Sequence, residues 1–133
     1  MCDFSGYVAP EIVKMRRVVV VSPSSRGQRL ALVVPISTTA PRVILPVHVK
    51  LPGQSVYQCF DGATEVWAKA DLIAHVRFDR LNRVRVPARD ALGNPIPRKH
   101  VYIATVTLSA ADLAAVRKAV LHSLGLGRLA PHV

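Results

Sequence analysis

The chain has 133 residues, and its 18 Lys and Arg side chains against 8 Asp and Glu give a formal net charge of +10. This length fits one domain over residues 1–133, and the hydrophobic half of the composition excludes a disordered chain. The charge favours an anionic partner, with nucleic acid preferred over an anionic membrane surface or an acidic protein segment.

Short strands are predicted along most of the chain, because ten prolines and seven glycines divide it into brief elements. Residues 3–4 are interpreted as the end of a strand. Residues 16–21 and 30–38 are apolar, β-branched runs, which predict buried strands. Residues 43–51 alternate in polarity, as is typical of a half-buried strand. The other predicted strands cover residues 56–60, 66–70, 72–78 and 101–107.

A basic stretch and one helix complete the pattern. Residues 77–99 are strongly basic and contain Pro and Gly, which predicts a long hairpin or a loop. The one predicted helix runs from about Ala110 to Leu124, with Ser109 as its N-cap and Asp112 completing a capping box. Many strands followed by one helix predict a mainly β fold with α, a small curled antiparallel barrel with a C-terminal helix.

No metal site, disulfide or membrane segment is predicted. Cys2 and Cys59 form no CxxC pair, and the five histidines are too scattered for a zinc site, so we expect neither a metal nor a cofactor. The N-terminus lacks a basic stretch followed by an apolar core, and the longest apolar runs are too short to span a bilayer. We therefore expect a cytoplasmic protein that binds no membrane.

Three polar segments beside apolar strands carry groups that could cleave RNA without a metal. The reaction needs a base for the 2′-hydroxyl proton, donors for the charge on the phosphoryl oxygens, and an acid for the leaving 5′-oxygen. The first segment places Lys14, Arg16 and Arg17 at the entrance of the strand 18–21. Its alternative is a solvated basic edge strand, on which Arg discourages aggregation.

The other two segments follow later strands. Ser37, Thr38 and Thr39 come directly after an apolar run, where hydroxyls either bind a phosphate or simply form a turn. Lys69 and Asp71 are two residues apart, so on a strand they would project from one face. Their alternative is an ordinary surface ion pair.

The order of these segments resembles the MazF/PemK toxins of type II toxin–antitoxin systems. Arg16 precedes a Val-rich strand and Ser-Pro, and Val-Val-Pro-Ile-Ser-Thr-Thr, Trp-Ala-Lys-Ala-Asp and a Leu-Ser-x-x-Asp-Leu-x-x-Val-Arg-x-x-Val helix follow. The resemblance covers residues 3–124. It implies an SH3-like barrel, a homodimer, and a metal-independent endoribonuclease that cleaves single-stranded mRNA through attack of the 2′-hydroxyl. It also implies a cognate antitoxin, for which we expect an acidic flexible segment.

The resemblance also implies the site residues. Arg16 falls on the family's catalytic Arg, Ser37 on its catalytic Thr, and Lys69 and Asp71 on the basic and acidic pair of some members. We expect Arg16 to stabilise the phosphate and to be a candidate acid, Ser37 to position the phosphate, and Asp71 to act as base assisted by Lys69. The residues expected to bind RNA outside the catalytic set are Lys14, Arg17, Thr38, Arg77, Arg80 and Arg83.

Three features depart from the family pattern. Arg16 and Arg17 stand where the family usually has Arg-Pro, so either arginine could face the phosphate. Most of the usual opening strand is missing before Asp3 and Phe4, which leaves an edge of the barrel or the mouth of the site less supported. The basic stretch 77–99 is longer than in compact members, and it either extends the RNA groove or forms a solvated loop.

Two other functions fit the same pattern: a non-catalytic nucleic-acid-binding barrel, and a same-fold toxin that inhibits DNA gyrase. The set of Arg16, Ser37, Lys69 and Asp71 favours the nuclease. Aromatic side chains beside apolar strands could stack on bases, although core packing is the preferred interpretation. These side chains are Phe4, Phe60, Trp67 and Tyr102.

Overall fold

A computed structural model describes residues 1–9, 13–22, 29–52, 65–102 and 107–133. The strands are β1 (Val18–Val20), β2 (Leu30–Ser37), β3 (His48–Leu51), β4 (Val66–Lys69), β5 (Ala74–Arg77), β6 (Arg85–Arg89) and β7 (Pro95–Tyr102). One α-helix, α1, spans Ala110–Ser123. Short 3₁₀ segments cover Ala70–Leu72, Phe78–Arg80 and Gly127–His132. A mainly β fold with a C-terminal helix is thus confirmed.

Strand β2 is the centre of an antiparallel five-stranded sheet. Its first half pairs with β5, its last residues Ile36 and Ser37 pair with β4, and β1 runs along its other edge. Strand β3 extends the sheet beyond β4. Pro35 lies between the two partners on the β4/β5 side, and because it has no N–H it leaves a break in the ladder there.

The core lies on both faces of β2. Val34 and Ile36 belong to a cluster that includes α1, whereas Ala31 and Val33 belong to a second cluster with Phe4. A strand buried on both faces needs a continuous apolar sequence instead of an alternating one. The buried strand predicted over residues 30–38 is therefore confirmed, one residue shorter.

The helix α1 begins as its sequence predicts. The Ser109 hydroxyl oxygen accepts a hydrogen bond from the Asp112 backbone N–H at 3.1 Å and donates to the Asp112 carboxylate at 2.7 Å. Such a cap contributes about 1 kcal/mol to helix stability. At the other end Gly125 adopts a φ of +73°, and Leu126 N–H donates to Leu121 O, so the helix ends at Ser123. Its buried face packs Val116, Ala119 and Val120 against the sheet.

Two predicted strands start or break elsewhere. The strand expected from residue 43 begins only at His48, because a turn at Pro46, closed by His48 N–H donating to Leu45 O, precedes it. The predicted strand 66–70 ends at Lys69 and continues as the 3₁₀ segment. The strand predicted over residues 56–60 lies outside the described residues.

The basic stretch contains a hairpin. Strands β6 and β7 pair only with each other in the described part of the chain, and Val101 and Tyr102, expected to open a last core strand, end β7 instead. The described strands thus form an open five-stranded sheet and a separate two-stranded hairpin, without closing into a barrel. Every helix in the described ranges is too short or too polar to cross a membrane.

Of the aromatic side chains predicted to pack in the core, two are buried and one is exposed. Phe4 and Trp67 are buried, at 1% and 5% exposure, which confirms core packing for both. Tyr102 is 56% exposed, and the prediction that it packs in the core is wrong, because the β6–β7 hairpin stands outside the five-stranded sheet. Phe60 lies outside the described residues.

The first three residues form a backbone bridge between distant segments. Cys2 exchanges two hydrogen bonds with Arg16, at 2.6 and 2.9 Å. On its other side Cys2 faces Leu81, where Asp3 N–H donates to Arg80 O and Asn82 N–H donates to Met1 O, each at 2.9 Å. The short opening segment therefore links the strand entrance at Arg16 to the beginning of the basic stretch.

Candidate active site

A cleft of about 250 Å³ opens where β1, β2 and β4 meet. It contains three of the four residues that were assigned to catalysis from the sequence, namely Arg16, Ser37 and Lys69. The other residues around it are Val13, Lys14, Pro35, Ile36 and Leu72. Side chains from three separate segments thus converge on one concave surface.

The sheet register sets the positions of the cleft residues. Arg16 lies just before β1 and is held by its two backbone hydrogen bonds to Cys2. Ser37 ends β2 directly opposite Trp67, and Lys69 ends β4 two residues further on. Because both strands lie in one hydrogen-bonded sheet, the relative placement of Ser37 and Lys69 is rigid.

The Ser37 hydroxyl keeps a proton available for a ligand. Its oxygen accepts a hydrogen bond from Thr39 N–H at 3.1 Å, which closes a turn after β2. A hydroxyl that accepts one hydrogen bond still has its own O–H to donate. Ser37 thus forms the turn that we considered as the alternative to binding a phosphate. Its O–H can still donate to a phosphate oxygen. Thr38 is exposed beside it and does not line the cleft.

The cleft is strongly cationic. Lys14, Arg16 and Lys69 line it, and no carboxylate of the described residues does. None of these three cations forms a salt bridge with another described residue. Unneutralised cations around a concave surface with an apolar wall of Pro35 and Ile36 favour an anionic ligand.

The two adjacent arginines occupy different environments. Arg16 is exposed and lines the cleft, whereas Arg17 is half-buried and does not. The Arg17 carbonyl accepts a hydrogen bond from Ile36 N–H at 3.0 Å, so its backbone belongs to the sheet. Arg16 is therefore the arginine that a ligand in the cleft would meet.

Asp71 stands apart from the other candidate residues. It belongs to the 3₁₀ segment after β4, so the expected strand face shared with Lys69 does not exist. Its carboxylate is 47% exposed and its Oδ2 lies 3.4 Å from the Nε2 of His48. Asp71 does not line the cleft itself, but Lys69, two residues before it, and Leu72, directly after it, both do, so it sits at the rim.

His48 is a residue that the sequence did not single out. Its side chain is only 7% exposed, and its Nδ1 accepts a hydrogen bond from Leu45 N–H at 3.1 Å. The proton of the neutral ring is thereby assigned to Nε2, which donates to Asp71. His48 faces Lys69 across β3 and β4, but nothing local in the sequence indicates this pairing.

Other cations expected to bind RNA lie away from the cleft. Arg77 pairs with Asp79 at 3.0 Å. Arg80 donates hydrogen bonds to the carbonyls of Asp3 and Ser5 at 3.0 and 2.8 Å. Its guanidinium also lies 5.5 Å from the Tyr7 ring centroid, so Arg80 stabilises the N-terminal loop. Arg83 is exposed two residues before β6.

No group of three His, Cys, Asp or Glu side chains in the described ranges could hold a metal ion. Burial raises the pKa of the Cys2 thiol, and the Ser5 N–H lowers the pKa of the Asp3 carboxyl. Both groups lie in the backbone bridge and neither lines the cleft.

Comparison with known proteins agrees with the order of these segments. The model of one family, described as PemK-like, MazF-like toxin of type II toxin–antitoxin system, matches residues 1–124. An uncharacterized protein of Escherichia coli (strain K12), YifN, is 38% identical over 86 residues. That match covers 62% of this chain and 56% of the length of YifN.

Proposed function

Since the chain belongs to the PemK-like, MazF-like toxins of type II toxin–antitoxin systems, we propose that it is a metal-independent endoribonuclease that cleaves single-stranded RNA. The observation that carries this proposal is the cleft that Lys14, Arg16 and Lys69 line together with Ser37, with no carboxylate from the described part of the chain. Such a surface suits the phosphodiester of a flexible polyanion.

In the proposed reaction the substrate supplies its own nucleophile. Asp71 at the rim takes the proton of the 2′-hydroxyl, assisted by the nearby Lys69 ammonium, and the 2′-oxygen forms a bond to phosphorus. The bond from phosphorus to the 5′-oxygen breaks, and that oxygen receives a proton. The products are a 2′,3′-cyclic phosphate and a 5′-hydroxyl.

The cleft residues stabilise the charge of this step. Arg16 places a guanidinium beside the phosphoryl oxygens, where negative charge accumulates, and is also the candidate proton donor for the 5′-oxygen. Ser37 donates its hydroxyl proton to a phosphate oxygen and so fixes the phosphate relative to the base. No metal is required for any of these roles.

The decisive experiment compares RNA with its deoxyribose counterpart in EDTA. We expect endonucleolytic cleavage of a single-stranded RNA and none of the DNA of the same sequence, because DNA has no 2′-hydroxyl. Strict dependence on magnesium, or cleavage of the DNA, would rule out this mechanism. RNA binding without cleavage would instead favour a non-catalytic nucleic-acid-binding protein, and inhibition of DNA gyrase without RNA cleavage would favour a gyrase toxin.

We also propose the partners and the assembly. Membership in a type II toxin family implies an antitoxin, and the cationic cleft favours an acidic flexible segment as its inhibitory part. A homodimer is proposed from the resemblance and is tested by the mass of the protein in solution. Cytoplasmic localisation remains part of the same proposal.

A further inference from the structure

The hairpin of β6 and β7 carries an exposed face that the proposed cleavage reaction does not use. Arg85 pairs with Tyr102, and Pro87 pairs with His100. Residues opposite each other in an antiparallel pair, and residues two apart on one strand, project from the same face. Arg85, His100 and Tyr102 therefore share one side, and all three are exposed.

We propose that this face is a binding platform for single-stranded RNA that flanks the cleaved phosphodiester, an inference that rests on the proposed nuclease function. Exposed aromatic rings among cations are the feature by which proteins bind single strands, since bases stack on the ring and phosphates meet the cations. Tyr102 supplies the ring, with a cation directly across the strand pair. The platform comprises Arg85, His100 and Tyr102.

The charge around the platform is almost entirely positive. Residues 83–102 contain five Lys or Arg and a single carboxylate, Asp90. Asp90 is engaged by the turn between the strands, where its Oδ1 accepts hydrogen bonds from the N–H groups of Leu92 and Asn94, each at 2.9 Å. The carboxylate thus orders the hairpin tip and lies away from the strand pairs that carry the platform.

A bulge adds two more cations beside the platform. The register shifts between Pro87 and Arg89, and the facing strand bulges over the residues before His100. Arg98 in this bulge has a φ of +60°, a conformation that non-glycine residues rarely adopt. Bulges redirect side chains, and Arg98 and Lys99 are both exposed.

The backbone connects this platform to the cleft. Cys2 forms a β-bridge with Arg16 on one side and with Leu81 on the other. Two ordinary strand spacings therefore place Leu81 about 10 Å from Arg16. Four residues then lead to Arg85, a span of at most about 14 Å. An RNA strand that leaves the cleft therefore reaches the hairpin within a few nucleotides.

The hairpin is better suited to bind a nucleic acid than to pair with a further β-strand. Pro87, Pro95 and Pro97 interrupt its edges, and proline cannot donate to a ladder, so edge pairing with a further strand is disfavoured. A lone two-stranded hairpin is marginally stable in water. Stacking and phosphate contacts on its face would stabilise it.

The test measures binding of two non-cleavable RNAs that carry 2′-O-methyl groups, one of three nucleotides and one of twelve. Tyr102→Thr keeps a β-branched residue in the strand but removes the ring. We expect it to weaken binding of the long RNA about 5- to 100-fold and to leave the short RNA unchanged. Tyr102→Phe keeps the ring and should bind as the wild type does.

Two further variants separate charge and folding from stacking. Arg85→Gln should reduce the slope of log affinity against log salt for the long RNA by about 0.7, the value for one single-strand phosphate contact. Val101→Thr changes the opposite face of the same strand and should bind both RNAs normally. A wild-type rate of cleavage of a short reactive RNA establishes that each variant is folded.

The outcomes distinguish this inference from the proposed function. Equal affinity of the wild type for both RNAs, or unchanged long-RNA binding by Tyr102→Thr and Arg85→Gln, would overturn the platform. The platform would also be overturned if these two variants lost affinity for an acidic peptide of twelve residues and kept their affinity for RNA. The face would then be a protein-binding surface. If the wild type binds the long RNA through the platform yet cleaves no reactive RNA, the nuclease proposal fails, and the platform stands only as a binding surface for single-stranded RNA.

Discussion

At the scale of single residues, neighbouring side chains in the cleft region differ mainly in direction. An extended backbone sends adjacent side chains to opposite sides. Arg16 consequently lines the cleft while Arg17 is half-buried against the sheet, although the sequence presents them as equivalents. His48 and Lys50, two residues apart on β3, project from the same face instead, and they pair with residues near opposite ends of β4: His48 with Asp71 and Lys50 with Glu65.

Replacing Arg16 with Ala is expected to lower the cleavage rate by about 10²- to 10³-fold, the usual loss for one group that stabilises transition-state charge. Arg17→Ala is expected to weaken RNA binding in a salt-dependent way and to change the rate constant little. Single-turnover kinetics at two salt concentrations measure both effects. A large loss for Arg17→Ala together with an active Arg16→Ala variant would show that the neighbouring arginine is the catalytic one.

Removing the His48 ring should affect catalysis through Asp71, because the buried ring holds the Oδ2 of that carboxylate and contacts only this one of its two oxygens. We expect His48→Ala to lower kcat about 10- to 100-fold with little change in KM, since the base loses its fixed position. His48→Gln, whose amide N–H can replace Nε2, should restore much of the rate. A purely structural role would instead lower the Tm of both variants alike and leave kcat of the folded fraction unchanged.

At the scale of elements, local patterns predict those features that depend on local interactions. The apolar run in β2 and the Ser109 cap of α1 were predictable because burial on both faces and capping are encoded in consecutive residues. The position of Asp71 was not predictable. Apolar and polar residues go on alternating past the end of β4, so the sequence does not indicate where the 3₁₀ segment begins. Exposure of Tyr102 depends on β7 pairing away from the main sheet, which is a non-local property.

The turn of the β6–β7 hairpin should respond to acid. Hydrogen bonds from the Asn94 backbone, followed by those of Leu92 and Gly93, hold the pKa of Asp90 below its ordinary value. A carboxyl with a lowered pKa in the fold stabilises it above the unfolded pKa and loses that effect as pH falls through the folded pKa. We expect amide exchange at Leu92 and Asn94, corrected for intrinsic rates, to accelerate as pH falls below about 4.

The control for this acid effect is Asp90→Ala, in which the same two amides should exchange rapidly at every pH. Asp79→Ala removes an exposed carboxylate elsewhere, the partner of Arg77, and should leave the turn unchanged. Equal protection of Leu92 and Asn94 in Asp90→Ala and the wild type would contradict the assigned role of Asp90.

At the scale of the whole molecule, eight of the 18 Lys and Arg side chains lie in the cleft or in residues 83–102. The cleft collects Lys14, Arg16 and Lys69, and the basic hairpin begins a short backbone distance away across the bridge at Cys2. The sequence predicted the excess charge and its anionic partner, but not the bridge, because pairing of residues 2, 16 and 81 joins segments that are far apart along the chain. Under the proposed platform, one RNA strand extends from the cleft to the hairpin.

An acidic antitoxin segment and RNA are therefore expected to compete for the cleft. Both ligands need the same unneutralised cations, so the double variant Arg16→Glu and Lys69→Glu should weaken both. The association rate of the antitoxin should also fall as salt rises, because charges separated by more than a Debye length are screened. Charge reversal at Lys118 on α1, which does not line the cleft, is the matched control.

The measurement is a pair of titrations with the product of the upstream gene, the expected antitoxin, one without RNA and one with a saturating 2′-O-methyl RNA. Competition predicts that the apparent Kd of the antitoxin rises in proportion to the RNA concentration once that RNA exceeds its own Kd. Simultaneous binding of both ligands with undiminished affinity would place the antitoxin elsewhere on the molecule. The cleft would then remain an RNA site, and inhibition would have to act through a change in its shape.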